Sequence, residues 1–77
     1  MVTVFSKNAC VQCKQTKMFL EARGIPFIEK NIEENDEYHA EAKLYGFKAA
    51  PVVVPDESLG LKAWAGFRPD ELRKLIK

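Results

Sequence analysis

The stretch NACVQCKQTK at residues 8–17 contains both cysteines of the chain, with only Val11 and Gln12 between them. A short run of β-branched and aromatic residues precedes it, and a segment with helical periodicity follows it. Three interpretations are open for Cys10 and Cys13: a redox pair, half of a metal site, or two inert buried side chains. Which of the three holds depends on the elements on either side of the pair.

The composition is that of one small domain spanning residues 1–77, with 47% apolar and 30% charged residues. The net charge is only +1, and no basic block is present, which argues against nucleic acid or an anionic membrane as a partner. The first five residues lack the features of a signal peptide, so we expect a cytoplasmic protein. We also expect it to be a monomer. Stable disulfides are unusual in that reducing compartment, and the cysteine pair therefore favours redox chemistry.

Strand and helix signals alternate along the chain. Gly24 and Gly46 stand where helices are expected to stop. Asn35 or Asp36 can cap the second helix, and Pro69 suits the first turn of the last one. In chain order, the expected elements are a strand at 2–5, a helix at 11–23, a strand at 25–31, a helix at 36–45, strands at 52–54 and 61–65, and a helix at 69–77.

The first and last helices are predicted to be amphipathic. On the wheel of the first helix, Leu20 lies on the flank of the apolar side. That side is formed by Val11, Met18, Phe19 and Ala22, and roughly opposite lie Lys14, Lys17 and Glu21. The last helix has an apolar stripe of Leu72, Leu75 and Ile76, and its C-terminal end carries Lys74 and Lys77.

A CxxC pair between a first strand and a helix has specific chemical consequences. Cys10 falls at the helix N-terminus, where free backbone N–H groups and the helix dipole stabilise a thiolate. Cys13 follows one turn later, which brings the two Cα atoms within the roughly 4.4–6.8 Å that a disulfide tolerates. Lys7 and Lys14 flank the pair and can add to the positive field. These features favour a nucleophilic Cys10 that closes a reversible disulfide with Cys13.

The other two interpretations of the pair are disfavoured. Tetrahedral zinc needs four ligands, and the chain offers only His39 besides the cysteines, on a predicted surface helix. We therefore expect no metal. It remains an alternative that the two thiols are inert. This alternative is the weaker one, because the pair lies directly after a predicted strand.

Three separated motifs resemble the NrdH-redoxin family: CVQCK at 10–14, APVV at 50–53 and WAGFRP at 64–69. Family members carry a serine where this chain has Ala65. The resemblance covers essentially the whole chain. It implies an α/β thioredoxin fold of the small glutaredoxin-like form, βαβαββα, with a four-stranded mixed sheet in the order 2-1-3-4 flanked by three helices. It also implies a cis peptide bond before Pro51.

The resemblance further implies a dithiol electron carrier. Such a protein reduces class Ib ribonucleotide reductase and is itself reduced by thioredoxin reductase, with NADPH as the distant electron source. Cys10 would be the nucleophile and Cys13 the resolving cysteine, and the only redox group would be their disulfide, with no bound cofactor. The partner-binding surface would comprise Val11, Gln12, Ala50, Pro51, Trp64, Phe67 and Arg68.

Two other functions stay open at this point. Glutaredoxins open their last helix with small residues whose N–H groups hold a glutathione carboxylate. Here Phe67 is bulky and Pro69 has no N–H, although Arg68 can still attract a carboxylate, so a glutathione-dependent glutaredoxin remains an alternative. The second open function is an iron–sulfur module, in which Cys10, with or without Cys13, would hold a cluster at a dimer interface. Trp64 and Phe67 are either core residues or part of an exposed patch beside the cysteines.

Overall fold

The computed structural model describes residues 1–76, and the predicted βαβαββα fold with strand order 2-1-3-4 is confirmed. Two single turns of 3₁₀ helix, Glu57–Leu59 and Arg73–Leu75, follow the third strand and the last α-helix. Among the described residues, no helix combines the length and apolar character needed to cross a membrane. The elements are β1 (Val2–Ser6), α1 (Val11–Ala22), β2 (Phe27–Asn31), α2 (Asp36–Lys43), β3 (Val52–Val54), β4 (Trp64–Ala65) and α3 (Pro69–Leu72).

Strand β1 is one of the two inner strands of the sheet and positions the cysteine loop that follows it. It pairs in parallel with β2, to which α1 provides the crossover, and antiparallel with β3. In the register, Val4 lies between Glu29 of β2 and Val53 of β3, and Val53 in turn lies opposite Trp64 of β4. The cysteine loop therefore leaves the sheet at the end of an inner strand.

The alternation of side chains along the strands divides the core between the two faces of the sheet. Helices α1 and α3 cover one face, and α2 covers the other. The first cluster contains Val2, Val4, Leu20, Val53, Trp64, Leu72 and Leu75. The second contains Phe5, Ala42 and Val52.

The predicted apolar side of α1 is wrong except at Phe19, which packs against the first core cluster. Val11 is 71% exposed and Met18 is 58% exposed, and the buried side chains of the helix are those of Cys13, Thr16 and Leu20. The helical wheel did not identify this face as apolar, because two of its three buried residues are cysteine and threonine, which are not strongly apolar. Thr16 is nevertheless fully buried at little cost, since its hydroxyl donates to the Gln12 carbonyl at 2.9 Å inside the helix.

Several predicted boundaries also shift. Strand β2 begins at Phe27 rather than at residue 25, because the Ile25 N–H bonds back to the Leu20 carbonyl at 2.9 Å and closes the end of α1. Helix α2 stops at Lys43, two residues early, and β4 has two residues instead of five. Helix α3 is a single turn continued by 3₁₀ helix, which leaves Ile76 exposed. The predicted basic residue at position 77 lies outside the described residues.

A carboxylate of β2 connects α1 to the sheet. Glu29 accepts hydrogen bonds from the Lys17 ammonium and from the Ser6 hydroxyl, both at 2.7 Å. These bonds, that from Lys17 foremost, hold the pKa of Glu29 below its usual value of 4.5. Since Lys17 lies on α1 and Ser6 ends β1, the contact helps to position the helix that carries the cysteines.

This contact predicts a pH-dependent contribution to stability. Folding lowers the pKa of Glu29, so the contribution is complete above pH 4.5 and is lost as the pH falls through the lower folded value. We expect Glu29→Gln to lower the free energy of unfolding near neutral pH by about 0.5 kcal/mol, a small effect because the pair is partly exposed. Urea unfolding measured from about pH 7 down to about pH 2.5 should show the difference from wild type shrinking. Glu57→Gln, at an exposed position, is the control, and a difference that stays constant would contradict the prediction.

Candidate active site

Cys10 and Cys13 form a disulfide at the start of α1, with their Cα atoms 5.2 Å apart. Cys10 is the N-cap residue, and its Sγ accepts a hydrogen bond from the Cys13 N–H at 3.1 Å. Cys10 is half-buried, whereas Cys13 is only 2% exposed. An incoming molecule can therefore reach the first sulfur but not the second.

The loop before the cysteines is anchored to the sheet. Ala9 has a φ of +52°, in a region that residues with a side chain rarely adopt, and it turns the chain from β1 into α1. The Asn8 N–H donates to Glu33 at 2.9 Å, and the Asn8 side-chain oxygen accepts from Asn31 at 3.0 Å. These bonds hold Cys10 at the first turn of the helix.

The predicted cis bond joins Ala50 and Pro51, as the family resemblance implied. Pro51 is buried, and its carbonyl accepts a hydrogen bond from the Gly66 N–H at 2.8 Å. Ala50, just before it, is half-buried. The loop before β3 is therefore fastened to the loop after β4.

Gln12 connects this pair of loops to the cysteines. Its side-chain oxygen accepts a hydrogen bond from the Phe67 N–H at 3.0 Å, across 55 positions of sequence. A Cβ at Gly66 would lie 3.3 Å from the same oxygen, and the φ of +91° there also favours glycine. The three sequence motifs thus meet at one place. Hydrogen bonds join Gln12 to Phe67 and Pro51 to Gly66. Sequence reasoning assigned Gln12 to a partner surface and did not foresee this internal role.

The aromatic residues of the third motif divide between the two interpretations. Trp64 is only 5% exposed and belongs to the core cluster of α1 and α3. Phe67 is partly buried and packs against that cluster with one side. Next to Cys10, the side chain of Val11 projects into solvent. The exposed apolar surface at the cysteines is therefore supplied by Val11 and part of Phe67, and little of it by Trp64.

Arg68 is engaged with its neighbours on α3. Its guanidinium donates to the Asp70 carboxylate at 2.8 Å and lies 3.9 Å from that of Glu71. The hydrogen bond from Arg68 holds the pKa of Asp70 below its ordinary value, and Asp70 raises the pKa of Arg68.

Within residues 1–76, no three histidine, cysteine, aspartate or glutamate side chains converge to hold a metal ion. His39 lies exposed on α2.

Known proteins share both this fold and these motifs. Residues 2–59 match the glutaredoxin family model. The glutaredoxin-like protein NrdH of Lactococcus lactis subsp. cremoris is 48% identical over 75 residues, which cover 97% of this chain and 99% of the relative. The chain belongs to the NrdH-redoxins. The NrdH protein of Escherichia coli K12 is 36% identical over 74 residues, covering 96% of this chain and 86% of that one. A solved structure of the E. coli NrdH-redoxin superposes with a TM-score of 0.86 at 34% identity, over 99% of this chain and 95% of that one.

An NrdH-redoxin with a redox-active cysteine pair is a thiol–disulfide oxidoreductase. The geometry of this NrdH-redoxin suits that chemistry, because the two sulfurs are bonded within one helical turn and only one of them is accessible. The helix N-terminus beside Cys10 favours a thiolate when the disulfide is open. Exchange with a second disulfide is therefore directed to one sulfur.

Proposed function

We propose that this NrdH-redoxin carries two electrons in the cytoplasm from thioredoxin reductase to class Ib ribonucleotide reductase, with NADPH as their distant source. The proposal extends the family resemblance of the three motifs. It is supported by the E. coli relative, whose solved structure is described as explaining a thioredoxin-like activity profile in a glutaredoxin-like protein.

The reaction we propose is a pair of thiol–disulfide exchanges. The Cys10 thiolate attacks one sulfur of the target disulfide, forming a mixed disulfide and releasing the other target sulfur as a thiolate. Cys13, once deprotonated, then attacks the Cys10 Sγ and releases the second target sulfur. The target gains two electrons and takes up two protons, and the redoxin is left with the Cys10–Cys13 disulfide. The burial of Cys13 supports this division of roles, because only an intramolecular attack brings its sulfur to an electrophile.

The hydrogen bonding of the loop before α3 is the observation that favours thioredoxin reductase over glutathione as the reductant. A glutathione carboxylate would need free N–H donors there, but the Phe67 N–H already donates to Gln12. Pro69 has no N–H, and the Arg68 guanidinium is paired with Asp70. In this loop, the Phe67 N–H and one nitrogen of the Arg68 guanidinium are therefore already engaged, and Pro69 has no N–H to offer.

Supplying electrons from two alternative systems tests the proposal. The oxidised protein would be offered either thioredoxin reductase or glutathione with glutathione reductase, and NADPH consumption would be followed. We expect the rate with thioredoxin reductase to be at least about tenfold higher, which corresponds to about 1.4 kcal/mol in the barrier. A variant with both Cys10→Ser and Cys13→Ser is the control for background oxidation. Faster turnover with glutathione would show that residues 66–70 still hold it, and would overturn the assignment of the reductase.

A further inference from the structure

A cavity of about 570 Å³ opens on the α2 side of the sheet, away from the cluster that contains Trp64. Its floor is apolar and includes Phe5, Ala42 and Val52, the three residues of the second core cluster. One wall is the segment 46–50 that follows α2. We call it the α2 cavity. A volume of this size accommodates one or two side chains of an incoming segment.

The segment that leads into the wall of the α2 cavity exposes large apolar side chains. In the segment after α2, Leu44 is 84% exposed, and Tyr45 and Phe47 are 41% and 37% exposed. Phe47 lines the cavity itself. Neighbouring apolar side chains that are exposed together are typical of surfaces that bind another molecule.

The rim of the α2 cavity is basic. Lys7, His39, Lys43 and Lys48 line it, and no carboxylate from residues 1–76 does. None of these three lysines lies within 4.0 Å of a carboxylate in residues 1–76. Because the chain as a whole carries a net charge of only +1, this is a local concentration of positive charge.

The lining of the α2 cavity includes residues that are close in sequence to the cysteine pair and to the cis-proline. Lys7 on its rim lies three residues before Cys10, and Ala50 in its wall directly precedes Pro51. The Pro51 carbonyl accepts a hydrogen bond from the Gly66 N–H. The next residue, Phe67, donates its N–H to the side chain of Gln12, which lies between the two cysteines. A polypeptide whose disulfide meets Cys10 can therefore continue past Ala50 into the cavity.

We infer that the α2 cavity binds an extended acidic segment of the disulfide-bearing partner, with an apolar side chain on the floor and carboxylates at the rim. The inference rests on the proposed function, since the segment flanks the disulfide that Cys10 attacks. The apolar floor favours binding of an apolar side chain. The basic rim favours carboxylates and increases the rate of association with an acidic partner.

Two synthetic peptides test this inference. Each carries an internal disulfide preceded by a leucine, flanked in one peptide by glutamates and in the other by lysines. In single-turnover reactions we expect the reduced protein to reduce the acidic peptide with a second-order rate constant about tenfold higher than that for the lysine peptide, and this ratio should fall in about 0.5 M NaCl. Lys43→Glu combined with Lys48→Glu should abolish or reverse the preference. The matched control, Lys62→Glu with Arg73→Glu, changes the net charge equally at exposed positions outside the cavity and should preserve it.

A binding measurement separates the cavity from the redox chemistry. A variant with Cys10→Ser and Cys13→Ser would be titrated with the acidic peptide in which serines replace its cysteines, and backbone amide shifts would be followed by NMR. We expect the largest shifts at Ala42 and at residues 46–50, and smaller shifts with the lysine peptide. Shifts there would support the α2 cavity even if the reductase assay failed. Equal rates for both peptides together with no shifts at these residues would overturn the inference and leave the proposed function standing.

Discussion

A Cys13→Ser variant should retain its disulfide-bearing target as a covalent adduct, and a Cys10→Ser variant should form none. Cys10 is the accessible sulfur at the start of α1, whereas Cys13 is 2% exposed and can act only after the mixed disulfide exists. Without Cys13, the mixed disulfide on Cys10 has no internal thiol to resolve it. Mass spectrometry and non-reducing gels would detect the adduct after incubation with an oxidised target.

Both substitutions should lower multiple-turnover reduction by about a thousandfold or more, the order of loss expected when a member of a concerted nucleophilic unit is removed. The control is treatment of the Cys13→Ser adduct with dithiothreitol, which should release the intact target. Equal trapping by the two variants would contradict the assignment of Cys10 as nucleophile. Adduct formation only by Cys10→Ser would reverse the two roles.

The second large effect concerns the face that α1 turns to the core. Leu20 is fully buried, whereas Met18, on the side predicted by the helical wheel, is 58% exposed. We expect Leu20→Ala to lower the free energy of unfolding by about 2–5 kcal/mol, because it removes buried methyl groups and leaves a cavity. Met18→Ala should change it by no more than about 0.5 kcal/mol. Thermal and urea unfolding would measure both, and each kcal/mol corresponds to about 4–8 °C in Tm for a domain of this size.

This comparison also bears on the active site, because Leu20 and Cys13 share the buried face of α1. The packing that draws Leu20 inward also places the Cys13 sulfur out of reach. If Met18→Ala cost as much as Leu20→Ala, the helix would be rotated towards the face predicted from the wheel. The burial of Cys13 would then no longer explain its role as the resolving cysteine.

The features predicted from local sequence are those that depend on near neighbours. Gly24 follows the end of α1 with a positive φ, Asn35 caps α2, and the valines at 52–54 form a strand. The cysteine pair was placed correctly between β1 and α1 because strand and helix signals flank it directly. The strand order 2-1-3-4 came from the family resemblance, since the local pattern of these residues does not specify which strands pair.

By itself, the sequence determined that the cysteine pair has the spacing and the position that redox chemistry requires. The spacing of Cys10 and Cys13 sets the ring that their disulfide closes, and the helix that follows supplies the field at the first sulfur. These are properties of a few consecutive residues, so they can be read without knowing the rest of the fold.

Only the tertiary structure decided which sulfur is accessible, what Gln12 does and where the basic cavity lies. The Gln12 side chain meets the Phe67 N–H across 55 positions, and the rim of the α2 cavity combines Lys7, from the loop after β1, with Lys43 and Lys48, from α2 and the segment beyond it. The rotation of α1 depended on how Leu20 fits the sheet, a property of the packed core. Such contacts are not visible in a linear pattern, because chain segments distant in sequence become neighbours only when the sheet assembles.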